Sequence, residues 1–581
     1  MLALRRRLAT SASVSRPAWA APDVGPGLVP MLLLGGFDET IAGDREALAA
    51  LAEEPDDVVV ARLVRWAAEA DPPVRRVGGV WYLVSKADAW EALHRFLTRD
   101  VLERFAAVAL AILGAPDPAF ELPPDQRWAA GLYGKKRQYS GLLARNVADT
   151  LALLGARGDI VRLGGGATAA TTAARVVRDL FEAAGRDWTR WAAFAHVLPL
   201  LAEAAPDEVL AALEAGLTGD DAPVMDLFGH DTGHWSAGPL HTELLWALER
   251  MAWSPDLLGR AALVLAELAR RDPGGKYANR PGASLRTIFL PWLPQTAALL
   301  DARLAVLDTL RQREPAAAWS LMVRLLPTLH DHSMPTTAPD WRDWAPEVPQ
   351  RVTNLILERH ANEIVRRLLE DAGTDGARGA ALVEALDDVP GEAHDAILAG
   401  LERLAGEPLP PAGRRRVWGA LRTFLNRHRS VPEADWALPA ERLAAIDAVF
   451  GRFEPEDVVD RHAWLFSNRP ALPEGREHDW KAQHQLLETR RVEAARALYT
   501  TRAPSDLIAL STTLEQPGAL GAALAESGAI VSDADVAALA GEALADERPG
   551  ARAFGRGFLG TLVHRRGCDS LFDLLNTYGG G

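Results

Sequence analysis

From about residue 100 onward, apolar residues recur at three- and four-residue spacing, and turns rich in Pro, Gly or Asp interrupt them about every 12 to 20 residues. That rhythm predicts helix after helix. The stretch after Ser254 shows the local logic. Ser254 is placed to cap a helix, Pro255 suits its first position, and Asp256 sets a negative charge where the helix dipole favours it. Leu258, Ala261, Ala262, Leu265 and Leu268 then share one face, Arg270 and Arg271 close the last turn, and Asp272-Pro-Gly-Gly275 stops the helix. The same reasoning predicts helices over Gln138–Ala156, Asp187–Ala204, His241–Trp253, Ala302–Arg311, Ala316–Leu326, Val352–Ala372, Arg414–Arg427 and His484–Leu498.

Short connections make successive helices antiparallel neighbours, and each pair has an apolar face that it cannot bury alone. Stacking such pairs gives an all-α, irregular α-solenoid of the HEAT- or TPR-like kind, although no clean repeat period or TPR consensus is present. One region breaks the pattern. Val74–Val77 and Val80–Val84 are β-prone, with Gly78-Gly79 between them as a two-residue hairpin turn. Ser85 and Asp88 read as a capping box for a helix over Lys86–Leu97. With helices expected near Asp44–Glu53 and Val58–Ala68, this stretch resembles a small winged-helix unit.

The composition narrows the setting. The 581 residues carry 63 Lys and Arg against 78 Asp and Glu, a formal charge of −15, and 48% are hydrophobic, enough for packed cores. No 18 apolar residues run uninterrupted, so no membrane span is expected. A lone Cys568 forms no internal disulfide, which makes a reducing cytosol the natural compartment. The first 22 residues hold Arg5, Arg6, Arg7 and Arg16 and no acid, a composition shared with organelle-targeting peptides, but without the apolar segment of a secretory signal.

Catalytic motifs are scarce. The Walker pattern is absent: the glycines at 131 and 134, at 274 and 275, and at 164 to 166 lack its spacing, its hydroxyl or its lysine. No Gly-x-Ser-x-Gly elbow occurs, and Cys568 has Arg565 and Arg566 nearby but no base. Neither a nucleotide nor another cofactor is expected, and the chain reads as non-enzymatic. Histidines gather in two stretches, His230 with His234 and His330 with His332, a set that a metal-dependent hydrolase would need to bring together. The bland reading is polar loop residues beside helix ends. Arg414, Arg415, Arg416, Arg422 and Arg427, interleaved with Trp418 and Phe424, form a basic helix, and Arg75 and Arg76 sit in the hairpin. These are candidate partner-binding residues, for nucleic acid or for an acidic protein, set against the ordinary role of arginines on a solvated helix face.

The strings Tyr277-Ala-Asn-Arg-Pro281, Ile288-Phe-Leu-Pro-Trp-Leu-Pro-Gln-Thr296, Pro335-Thr-Thr-Ala-Pro-Asp-Trp-Arg-Asp-Trp344 and His241-Thr-Glu-Leu-Leu-Trp-Ala-Leu-Glu249 carry a resemblance, together with Arg76–Trp81 and Asp88–Trp90. They are similar to the C-terminal helical half of large bacterial proteins with a STAND-like P-loop ATPase upstream, a class that includes antiviral sensors. The likeness covers most of residues 30–500. It implies that Leu4-Arg-Arg-Arg-Leu8 corresponds to the end of an ATPase lid and that the chain is a split, truncated or separately encoded helical half. ATP hydrolysis then passes to no residue here, and phage defence is an implication of the family alone. The expected organisation is a lid-like extension over 1–30, a winged-helix-like unit over 31–100, and helical arrays over 101–345 and 346–581. The function expected is a protein-interaction scaffold or sensor, with a separately encoded ATPase as a candidate partner.

Overall fold

The computed structural model describes residues 17–219, 222–229, 239–328, 330–348, 350–475, 480–568 and 577. The fold is all-α and solenoid-like, with a small β-hairpin near the N-terminus. The chain divides into two compact units, Met1–Leu325 with Asp331–His360, and Leu326–His330 with Ala361–Gly581.

The first unit opens with the helix Val29–Leu34, strand β1 (Gly36–Asp38), the helices Ala42–Ala52 and Asp56–Ala67, and strands β2 (Val74–Val77) and β3 (Val80–Leu83). β3 lies between the other two, antiparallel to both, with Phe37 opposite Trp81 and Val77 opposite Val80. Gly78 takes the turn at φ +61°, a conformation that glycine adopts without a Cβ penalty. Phe37, Trp81 and Val74 of the strands and Leu33, Leu48 and Leu63 of the helices packed against them are all almost fully buried. Ser85 caps the next helix as expected, its Oγ accepting from Asp88 N at 3.2 Å, but regular helix ends at Leu93 and a 3-10 turn, His94–Phe96, finishes the stretch. The third strand, β1, has no counterpart in the sequence pattern.

Buried Asp44 fastens this part to the helix Gly141–Arg157. Its carboxylate accepts from Asp38 N at 2.9 Å, Ser140 N at 2.8 Å and Ser140 Oγ at 2.6 Å, which offsets the cost of enclosing a charge. Ser140 Oγ accepts in turn from Leu143 N and so sets the start of that helix three residues later than the apolar pattern suggests.

Downstream, the predicted helices appear with shifted ends. Pro255–Arg271 buries Leu258, Ala261, Ala262, Leu265 and Leu268, the face read from spacing, although Ser254 makes no side-chain cap bond. The stretch Asp187–Ala204 is broken into the helix Trp188–Phe194, a 3-10 turn and the helix Leu198–Ala204, with Pro199 in the first turn of the last. Leu198–Ala204 packs against both Gly141–Arg157 and His241–Ala252.

The second unit runs through the helices Gly376–Glu384, Gly391–Ala405, Pro411–Ser430, Ala440–Arg452 and Trp480–Thr501 to Pro549–Arg566. Its last part is built on Leu465, Phe466, Leu498, Leu520, Leu524, Phe554 and Phe558. The helices Pro517–Ser527 and Pro549–Arg566 meet backbone to backbone. A Cβ at Gly521 would lie 2.0 Å from Phe554 O, and one at Gly557 2.1 Å from Gly518 O, so any larger residue forces the pair apart.

Candidate functional site

The arginines of the basic helix are largely occupied within the fold. Arg414 donates to Arg452 O at 2.8 Å and to Ala405 O at 3.2 Å. Arg415 pairs with Asp460, Arg427 with Asp387, and Arg429 with Asp447 at 3.3 Å. Arg416 is exposed. Arg422 is half-buried, with its Cζ 3.9 Å from the ring centroid of Trp464 and 4.9 Å from that of Trp418. In the hairpin, Arg76 pairs with Glu39 and lies over Trp81, while Arg75 is exposed. What reads as a run of free positive charge is therefore mostly a set of internal ties.

The helix also holds His428, fully buried. Its Nδ1 accepts from Leu438 N at 3.1 Å, which leaves Nε2–H to donate to Asp387. Burial first, and the Arg427 charge second, push this imidazole down to about 4. His196 in the first unit is held at about 4 by burial and by Arg137.

His330 and His332 are exposed. His230 and His234 lie outside the described residues. Among the described residues, no group of three His, Cys, Asp or Glu side chains is arranged as a metal site. His241 is buried, stacked on Phe228 at 4.7 Å, with its Nε2 3.2 Å from Asn279 O.

A polar array that sequence reasoning missed holds the irregular segment near residue 340 to the first unit. Glu203, fully buried, accepts from the amides of Asp340 (2.9 Å) and Trp341 (2.7 Å) and pairs with Arg250. Arg250 reaches Asp340 at 2.8 Å. Trp341 Nε1 donates to Asp149 Oδ1 at 2.7 Å, and Asp149 also takes Lys86, which further donates to Asn146 O at 3.0 Å. Burial lowers the Lys86 pKa, opposed by the Asp149 charge. The members are engaged with one another and with backbone, so the array acts as a tether. A cleft of about 470 Å³ elsewhere in this unit has Phe181, Trp191, Ala211 and Ala215 in its wall, and its rim pair, Arg178 with Glu208, is mutually neutralised.

A further candidate surface is the outer side of the helix Asp56–Ala67. Its inner side buries Val59, Leu63 and Trp66, as an amphipathic helix should. Its outer side is only partly polar: Val58 is 46% and Val64 48% exposed, with Ala61 between them, beside exposed Asp57 and Arg65. Arg65 is its exposed base, Arg62 is tied to Glu54, and Asp56 and Asp57 occupy the first turn. The helix packs beside β2, an edge strand, whose Val77 is 57% exposed. Large apolar side chains left outside at helical spacing are unfavourable for an isolated surface and fit one that another protein covers.

No protein-family model matches the chain, and no curated protein is similar to it. Among solved structures, one described as an engineered protein of the Northeast Structural Genomics Consortium aligns with 97% of this chain and 98% of its own, at 13% identity and a TM-score of 0.16. A likeness that distant carries no argument about fold or activity. Among the described residues, no helix is long and apolar enough to cross a membrane.

Proposed function

We propose that the chain is a non-enzymatic interaction scaffold or sensor region of the cytosol, and that its first unit docks a protein partner through the outer face of the helix Asp56–Ala67. The observation that carries this reading is the composition of that face, with Val58, Ala61 and Val64 outward and two aspartates at its start. The order helix, strand, two helices and hairpin, with β3 between β1 and β2, supports reading this part as a winged-helix unit. A helix that reads DNA presents polar and cationic side chains to base edges and phosphates. Valines offer no such hydrogen bonds, and Asp56 and Asp57 meet phosphates with like charge. The internal pairing of Arg414, Arg415 and Arg427 weakens a nucleic-acid reading of the basic helix in the same way. The family resemblance supplies a candidate partner, a separately encoded P-loop ATPase of the STAND-like kind, with this chain as its helical half.

Cross-linking mass spectrometry on the tagged full chain from its native cells tests the reading. Cross-links from the partner are expected to fall near residues 56–77, and capture should be lost in the Val58→Asp/Val64→Asp double variant. Retention on duplex DNA should be weak and indifferent to Arg75→Ala/Arg76→Ala. Salt-sensitive DNA retention that disappears with those arginines, or with Arg414→Ala/Arg415→Ala/Arg416→Ala, would overturn it.

A further inference from the structure

Among the described residues Arg422 has no carboxylate and no carbonyl partner, unlike Arg414, Arg415, Arg427 and Arg429 of the same helix Pro411–Ser430. Its guanidinium sits in a corner made by two indoles, Trp418 and Trp464, whose ring centroids are 6.2 Å apart at 75°. The corner is braced from behind. Trp418 stacks on Phe450 at 5.4 Å and 5°, and Trp464 Nε1 donates to Arg461 O at 2.8 Å. Arg415, two turns earlier on the same helix face, pairs with Asp460.

Two donors in this corner are enclosed and have no partner among the described residues, Arg422 Nε and Trp418 Nε1. Trp418 as a whole is only 5% exposed. Enclosed donors without acceptors are uncommon, because the hydration lost on burial is then not replaced. Burial alone pushes the Arg422 guanidinium down to about 10. Arg303 in the first unit is the useful contrast. It is similarly depressed and its Nε is likewise enclosed without a partner among the described residues, but it is 3% exposed and gives Nη1 to Leu290 O at 3.3 Å, so the rest of its guanidinium is sealed from solvent. For Arg422, Nε alone among its nitrogens is enclosed, and the Nη groups reach the surface.

We propose that Arg422, held between Trp418 and Trp464, is an anchor for a carboxylate side chain of a partner protein. The fork made by the two Nη groups, which reach the surface, matches the two oxygens of a planar carboxylate, and the flanking indole faces suit the methylenes that carry it. A single unneutralised cation suits a monoanion better than a phosphate dianion, since Arg415 is already paired with Asp460. Arginine and tryptophan at a desolvated, braced position are also the composition of protein-interface hot spots. The site lies in the second unit and does not depend on the Val58 and Val64 face.

The test is the Nε–H resonance of Arg422 in the ¹⁵N-arginine-labelled full chain, assigned by its loss in Arg422→Lys, with exposed Arg416 as the internal reference. The probes are acetate, inorganic phosphate and the peptide N-acetyl-Leu-Glu-Leu amide, each at constant ionic strength. The Arg422 signal should shift saturably while Arg416 drifts linearly, with the peptide binding more tightly than acetate and phosphate more weakly. Trp464→Leu should weaken peptide binding by about two- to fivefold, the size of a cation–π contact. A linear drift indistinguishable from that of Arg416 would sink the proposal. So would tighter binding of phosphate, or a peptide no better than acetate; the wild-type titration alone decides these.

Discussion

Two helices of this protein invert each other. Pro411–Ser430 is dense in arginine, yet most of those charges are directed at Asp387, Asp447, Asp460 and backbone carbonyls of its own unit. Asp56–Ala67 balances its acids, Asp56 and Asp57, with its bases, Arg62 and Arg65, and is otherwise apolar, yet it leaves Val58 and Val64 outside. The difference teaches that local charge density is no measure of charge available to a ligand, and that hydrophobicity is no guarantee of burial. Availability is what remains after the fold has chosen its own partners.

If internally paired charges hold the fold and exposed apolar residues serve a partner, substitutions should separate by size and by readout. The largest loss is expected at Glu203→Ala in the first unit, which takes the buried carboxylate from Arg250, leaving it only Asp340, and strands the amides of Asp340 and Trp341. Breaking a buried pair from one side costs about 3–5 kcal/mol, measurable by urea unfolding. An unchanged midpoint would mean that the tether is idle.

Asp387→Ala comes next. It removes the acceptor of buried His428 and the partner of Arg427, for about 1–3 kcal/mol of stability. A gain in DNA retention without loss of stability would instead restore the basic helix as a ligand-facing surface.

A smaller, graded effect is expected with pH. His428 and His196 titrate at about 4 in the fold and at about 6.5 when unfolded, so the unfolded chain binds their protons first. The stability linked to them is complete above pH 6.5 and is lost as pH falls toward 4. Melting temperatures across that window should fall less steeply in His428→Gln and His196→Gln. Buried Glu249, whose pKa burial raises, acts with the opposite sign and does not alter that difference between variants. The smallest stability effect belongs to Val58→Asp/Val64→Asp, within about 0.5 kcal/mol by chemical denaturation, since both side chains already face water. A large loss there would erase the contrast between the two helices.

Much of the architecture was readable because helical periodicity is a local signal. The face of Pro255–Arg271 and the Gly78-Gly79 hairpin follow from residues within a few positions of one another. β1 escaped because three residues, Gly-Phe-Asp, carry no alternation to detect. The break at Pro199 was visible but outweighed by apolar spacing on both sides. The polar ties could not be read at all, since Ser140 and Asp44 are 96 residues apart and Asp340 and Glu203 are 137 apart. The arginines were identifiable as a group, but which of them lacked a partner depended on Asp387, Asp460 and Trp464, far along the chain.

Glu203 has a kinetic consequence. A stretch with no repeating backbone geometry ordinarily opens readily and exchanges its amides within moments. Here the amide protons of Asp340 and Trp341 end on an enclosed carboxylate and are released only when that part of the core opens. Their deuterium uptake should therefore be as slow as at the centre of Gly141–Arg157, and a protease should cut elsewhere before it cuts there.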